Sequence, residues 1–83
     1  MKILKFYTDT CMPCKVVGKI LEKIEGVEVE PVNAVADENI GLVSEYNVFS
    51  TPTLVFLKEG KEVDRIMGMT TESKIREVIE RNK

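Results

Sequence analysis

The hydrophobic positions change period along the chain, and each change marks an element. Lys2 to Thr8 is a short run rich in Ile, Leu, Phe and Tyr that stops at Thr8-Asp9-Thr10, which predicts a buried strand. From Met12 to Glu25 the apolar residues are Val16, Val17, Ile20, Leu21 and Ile24, a helical stripe. Thr10 or Cys11 stands at the N-cap and Pro13 in the first turn, where a missing N–H costs nothing; Gly26 is a natural stop. Val27 to Val32 reads as a strand with one polar face, and Pro31 places it at a sheet edge. Asp37 is expected to cap a second helix running to about Tyr46, with Ile40, Val43 and Tyr46 on one face and Asn47 ending it. Ser50-Thr51-Pro52 then turns into the apolar run Thr53 to Leu57. Lys58-Glu59-Gly60-Lys61 reads as a hairpin turn, Glu62 to Met67 returns as a strand with Met67 in the core, and Gly68 breaks it. Thr70 or Thr71 caps a last helix through Ile75, Val78 and Ile79.

The order is β-α-β-α-β-β-α, an α/β fold whose expected form is a four-stranded mixed sheet flanked by three helices. A helix joins the first two strands, so they should be parallel with a right-handed crossover, whereas the last two form a hairpin. No repeat or linker interrupts residues 1–83, which read as one domain.

Composition narrows the function. Twelve Lys and Arg stand against 14 Asp and Glu, for a net charge of −2, so there is no basic excess to neutralise phosphates and nucleic acid is excluded as an expected partner. No polybasic cluster or apolar run of about 20 residues points to a membrane. Lys5 interrupts the N-terminal apolar run before a secretion signal could form, so the expected location is cytoplasmic. The chain has two cysteines and no histidine, which removes Ser-His and Cys-His catalysis and leaves too few ligands for a four-ligand zinc site. No cofactor is expected, and nothing demands more than a monomer.

The chemistry lies in Cys11-Met12-Pro13-Cys14, a C-x-x-C that follows a strand and opens a helix. A disulfide used only as a staple would close a longer loop, because its entropic effect grows with loop length. Helix N-terminal N–H groups favour an anion, so they stabilise a Cys11 thiolate. Cys14, one turn further on, should be less exposed. The expected cycle is attack by Cys11 on a substrate disulfide followed by attack of Cys14 on Cys11. A metal shared between two chains through Cys11 and Cys14 is the alternative chemistry.

Over nearly its whole length the chain resembles the thioredoxin superfamily, and within it the small thioredoxin- and glutaredoxin-like redox proteins. Besides the C-x-x-C, Tyr46-Asn47-Val48 with Ser50-Thr51-Pro52-Thr53 is similar to the family's approach to its cis-proline, and Leu54 to Val63 to the hairpin that follows. Gly68 comes sixteen residues after Pro52, as is typical of thioredoxins. The resemblance implies a cis Thr51–Pro52 bond and a docking groove made by Met12, Pro13, Thr51, Pro52, Gly68 and Met69. Flexible, polarizable methionines suit a surface that accepts several partners. It also implies disulfide-containing protein substrates and a recycling enzyme of the thioredoxin-reductase type.

Several positions depart from the family pattern. Thr10 replaces the usual Trp before the first cysteine, and the chain has no counterpart of the family's extra N-terminal strand and helix, so its size is that of a glutaredoxin. Pro13 in the third position of the motif is thioredoxin-like, and Gly68-Met69-Thr70-Thr71 lacks the pattern typical of glutathione binding. Lys5 lies six residues before Cys11, where thioredoxins usually place a buried Asp, and Asn33 stands where that Asp often has a Lys neighbour. Lys5 is therefore either a thiolate modulator or a side chain whose amine reaches solvent along its own stem. The reading is a thiol–disulfide oxidoreductase that reduces protein disulfides. Its alternatives are a glutaredoxin-like electron donor, for example to ribonucleotide reductase, and a non-catalytic binding module.

Overall fold

The computed structural model describes residues Met1–Lys83. The elements are β1 (Lys2–Tyr7), α1 (Met12–Glu22), β2 (Glu28–Asn33), a 3-10 turn (Asp37–Asn39) running into α2 (Ile40–Glu45), β3 (Thr53–Lys58), β4 (Lys61–Met67) and α3 (Glu72–Arg81). They form one four-stranded sheet in the order β2-β1-β3-β4. β1 and β2 are parallel, while β3 runs antiparallel to both β1 and β4. This is the predicted architecture, with Pro31 on an edge strand, where its missing N–H interrupts no ladder.

Alternation along β1 divides the core in two, because successive side chains of a strand point to opposite faces. Ile3 packs with Leu54 and Phe56 of β3 beneath Val17 and Leu21 of α1 and Ile75 and Val78 of α3. Leu4 and Phe6 face the other way and pack with Val32, Val48, Val55 and Leu57, covered by Leu42, Val43 and Tyr46. β1 and β3 are thus covered on both faces, which explains the unbroken apolar run from Leu54 to Leu57. Lys5 falls on the Ile3 face, on the side of α1.

Local signals set most boundaries. The Cys11 side chain caps α1, and Thr71 Oγ1 accepts the Lys74 N–H at 3.1 Å to cap α3. Glu59 and Gly60 turn the β3–β4 hairpin with φ of +54° and +79°, the paired left-handed geometry of a tight two-residue turn. Asn47 leaves α2 in the left-handed region, as its place after the helix predicts. The first helix is shorter than its stripe: Glu22 is its last residue, and Ile24 reaches the core from the turn beyond it.

Three expectations on the α2 side need correction. Asp37 does not cap the helix; Ala36 holds the capping position of the 3-10 turn and makes no side-chain bond there. The tighter winding of that turn shifts the phase of α2, so Leu42 rather than Ile40 faces inward with Val43 and Tyr46, and Ile40 is 62% exposed. Met67 is not core but 64% exposed. It ends an edge strand, beyond the cover that the six residues of α2 provide.

Candidate active site

β1 and β3 together decide where the chemistry sits. They are antiparallel, with Phe6 opposite Thr53, so the end of β1 and the beginning of β3 lie at the same end of the sheet. Thr8 to Cys11 leave that end from β1, and Ser50 to Pro52 enter it. Gly68 leaves it from β4, whose Met67 is opposite Thr53. Residues far apart in sequence are thereby gathered at one end, as the resemblance implied. Met1, Lys58, Asn82 and Lys83 line a hollow at the opposite end.

Cys11 and Cys14 are joined in a disulfide, with Cα atoms 5.2 Å apart. The pair is fixed by the helix start. Cys11 has extended backbone (φ −90°, ψ 105°), and its N–H donates to Thr8 O at 3.3 Å. Its Sγ accepts the Cys14 N–H at 3.2 Å, and its carbonyl accepts the Lys15 N–H at 3.3 Å. Cys11 therefore serves as its own helix's N-cap, with its sulfur at the positive end of the α1 dipole. Pro13 lies in the first turn, where no N–H is needed. Cys11 is partly exposed, whereas Cys14 is only 3% exposed and packs against the helix start.

The Thr51–Pro52 bond is cis, as expected. Its loop is tied down at both sides: Thr53 Oγ1 donates to Ser50 O at 2.7 Å, and Pro52 O accepts the Gly68 N–H at 2.8 Å. Gly68 has φ +84°, a conformation that disfavours any side chain, so its amide can turn toward Pro52. Met12 and Met69 are 66% and 56% exposed, and Thr51 and Gly68 are half-buried. Sequence reasoning missed Phe49, which is 89% exposed on the connection leading to Pro52. Its signal was available in principle, since Phe49 follows the end of α2 and belongs to neither apolar pattern.

Behind the disulfide, a cleft of about 370 Å³ runs between β1 and α1, lined among others by Lys5, Cys14, Lys15, Gly18 and Glu22. The Lys5 ammonium lies 5.3 Å from the centre of the Tyr7 ring. Asn33 is not part of this cleft. Its Oδ1 accepts the Val35 N–H at 3.1 Å, and its carbonyl accepts from Asn39 Nδ2 at 3.0 Å, so it shapes the turn after β2.

A disulfide between Cys11 and Cys14 at a helix N-terminus on this α/β sheet is the chemistry of a thiol–disulfide oxidoreductase. The family model for thioredoxin matches residues 1–81. A thioredoxin of Staphylococcus saprophyticus is 31% identical over 85 residues, covering 99% of this chain and 82% of that protein. A thioredoxin of Staphylococcus epidermidis is 29% identical with the same coverage. Among solved structures, a mutant thioredoxin from Halobacterium salinarum superposes with a TM-score of 0.87 at 30% identity, covering 96% of this chain and 72% of that one. Thioredoxin from Fasciola hepatica gives 0.79 at 37% identity, covering 99% and 80%. The chain belongs to the thioredoxin family. Like the family in general, it acts on disulfide-containing substrates and is recycled by a reductase. No helix is long and apolar enough to cross a membrane.

Proposed function

We propose that Cys11 is the attacking thiolate and Cys14 the resolving thiol in the reduction of protein disulfides in the cytoplasm, by a monomer recharged by a thioredoxin-reductase-type enzyme. The contrast between the two sulfurs carries this assignment. Cys11 is reachable from solvent and sits on the helix N-terminus, while Cys14 is buried and lends its N–H to the Cys11 sulfur. In the reduced protein that N–H and the helix dipole favour negative charge on Cys11. The Cys11 thiolate attacks one sulfur of the substrate disulfide, forming the mixed disulfide and expelling the first substrate thiolate. Cys14, as thiolate, attacks Cys11 Sγ, closes the Cys11–Cys14 bond and expels the second. The substrate gains two electrons and the dithiol loses them.

In this reading the substrate lies along Met12, Pro13, Thr51, Pro52, Gly68 and Met69. The exposure of both methionines and the fixed Pro52–Gly68 pair support the groove. The thioredoxin relatives do not favour the glutaredoxin-like or non-catalytic alternatives. The test is trapping: Cys14→Ser should accumulate a covalent mixed disulfide with a reducible protein such as insulin, visible by mass spectrometry, while Cys11→Ser should form none. Equal turnover by Cys14→Ser and the native chain would overturn the assignment.

A further inference from the structure

Lys5 is an oddity on the central strand. Its neighbours on the same face of β1 are Ile3, fully buried, and Tyr7. Its side chain is half-buried, yet it makes no hydrogen bond and no ion pair; the ion pairs of the chain all lie elsewhere, and its ammonium stands 5.3 Å from the centre of the Tyr7 ring. Room for it comes from Gly18: a Cβ built there would stand 3.1 Å from Lys5 Nζ. Gly18 is one turn beyond Cys14 on the same face of α1, and i, i+4 positions of a helix are neighbours. The ammonium therefore stands against the turn of α1 that follows Cys14, and Lys5 and Cys14 line the same cleft. The other charged or titratable groups facing that cleft are Tyr7 on β1, Asp9 on the connecting loop, and Lys15, Lys19 and Glu22 on α1. No carboxylate is within ion-pair distance of Lys5, and the carboxylates that line the cleft are those of Asp9 and Glu22.

We propose that Lys5 is a positioning residue for the resolving step: its ammonium stabilises the Cys14 thiolate from the cleft that both residues line. The step balances without another reactant. Cys14 loses a proton to water, its thiolate attacks Cys11 Sγ, the Cys14–Cys11 bond forms, the Cys11–substrate bond breaks, and the leaving thiolate is protonated by water. In the opposite direction, opening of the disulfide leaves the electron pair on Cys14 beside the cation. An opposite charge within about 4–6 Å favours the charged form of a thiol and lowers its pKa. Stabilising a thiolate favours the reduced pair, so Lys5 also raises the reduction potential.

This inference rests on Cys14 being the resolving thiol, and one experiment separates the two. Reduced protein is mixed with Ellman's reagent in a stopped-flow instrument. The first release of thionitrobenzoate reports attack by Cys11 and the second reports resolution by Cys14. In Lys5→Met the second phase should slow about threefold at pH 7, since a tenfold loss of thiolate is partly offset by higher nucleophilicity. The pH of its half-plateau should rise by about one unit. The first phase should be unchanged, the midpoint potential should become more negative, and Lys5→Arg should restore all of these. Gly18→Ala, which displaces the ammonium by a few tenths of an ångström while favouring the helix, should move the second phase in the same direction by a smaller amount in a well-folded chain. An unchanged second phase in both Lys5→Met and Gly18→Ala overturns the proposal, as does a shift that Lys5→Arg fails to reverse or a slowing of the first phase alone. Absence of a second phase in the native chain would instead sink the role given to Cys14.

Discussion

The side chain of Asp64 shows how one charged group can fasten two elements. Burial alone would raise its carboxyl pKa, but hydrogen bonds from Arg81 Nε at 2.9 Å, Asn82 Nδ2 at 3.1 Å and the Arg65 N–H at 2.9 Å outweigh it and hold the pKa below the ordinary value. These bonds tie the end of α3 to β4. Because the folded pKa is the depressed one, the stabilisation is present above the unfolded value of about 3.9 and fades as pH falls through the folded value. Asp64→Asn should cost about 1 kcal/mol at pH 7, less than a buried charged hydrogen bond because water still reaches Arg81. Urea unfolding at pH 7 and pH 3 should show the gap between variant and native chain narrowing in acid. At this scale the sequence was partly legible. Cys11 and Cys14 announce themselves by spacing, and Pro52 by the turn around it. The use of Gly18 as space for Lys5 was hidden, because a glycine inside a helical stripe carries no sign of what approaches it from another strand.

Elements were predictable where one side of them meets a deep core. α1 and α3 present apolar residues at helical spacing and land where expected, because Val17, Leu21, Ile75 and Val78 meet the same sheet face. Ile75 is fully buried between α3 and β3, so Ile75→Ala should cost about 3 kcal/mol. That is a large share of the stability of a domain this size, and thermal unfolding should show it as a Tm lowered by well over ten degrees. The face of α2 was not legible. Val43 and, just past the helix end, Tyr46 meet the core as expected, but the 3-10 turn at Asp37–Asn39 alters the winding, and a period of 3.6 counted from Asp37 falls out of step. Met67 failed for a related reason: alternation tells which face a strand residue takes, not whether a helix extends far enough to cover it.

At the scale of the molecule, the sheet divides a rigid middle from working margins. β1 and β3 are hydrogen-bonded on both sides and covered on both faces, while β2 and β4 each have a free edge. Backbone amides of Leu4, Phe6, Val55 and Phe56 should therefore exchange with solvent most slowly, at rates set by global unfolding, and those of α2 should exchange faster. Hydrogen-exchange mass spectrometry of the oxidised protein would check this, and equal protection of α2 and β3 would contradict it. The middle strands hold the two connections that make the site, so motion of the margins need not disturb the geometry of Cys11 and Pro52.

The hollow shared by Met1, Asn82 and Lys83 has a practical meaning. The two chain ends are neighbours at the end of the sheet remote from the disulfide. Anything attached to either end, whether a tether, a fluorophore or a second protein, is held behind the molecule. A short bridge of a few flexible residues could join the ends, and the sequence could then be reopened at Glu59-Gly60 without touching the redox end. Built into a host protein through both ends, the domain would stand like a plug with its contacts facing outward.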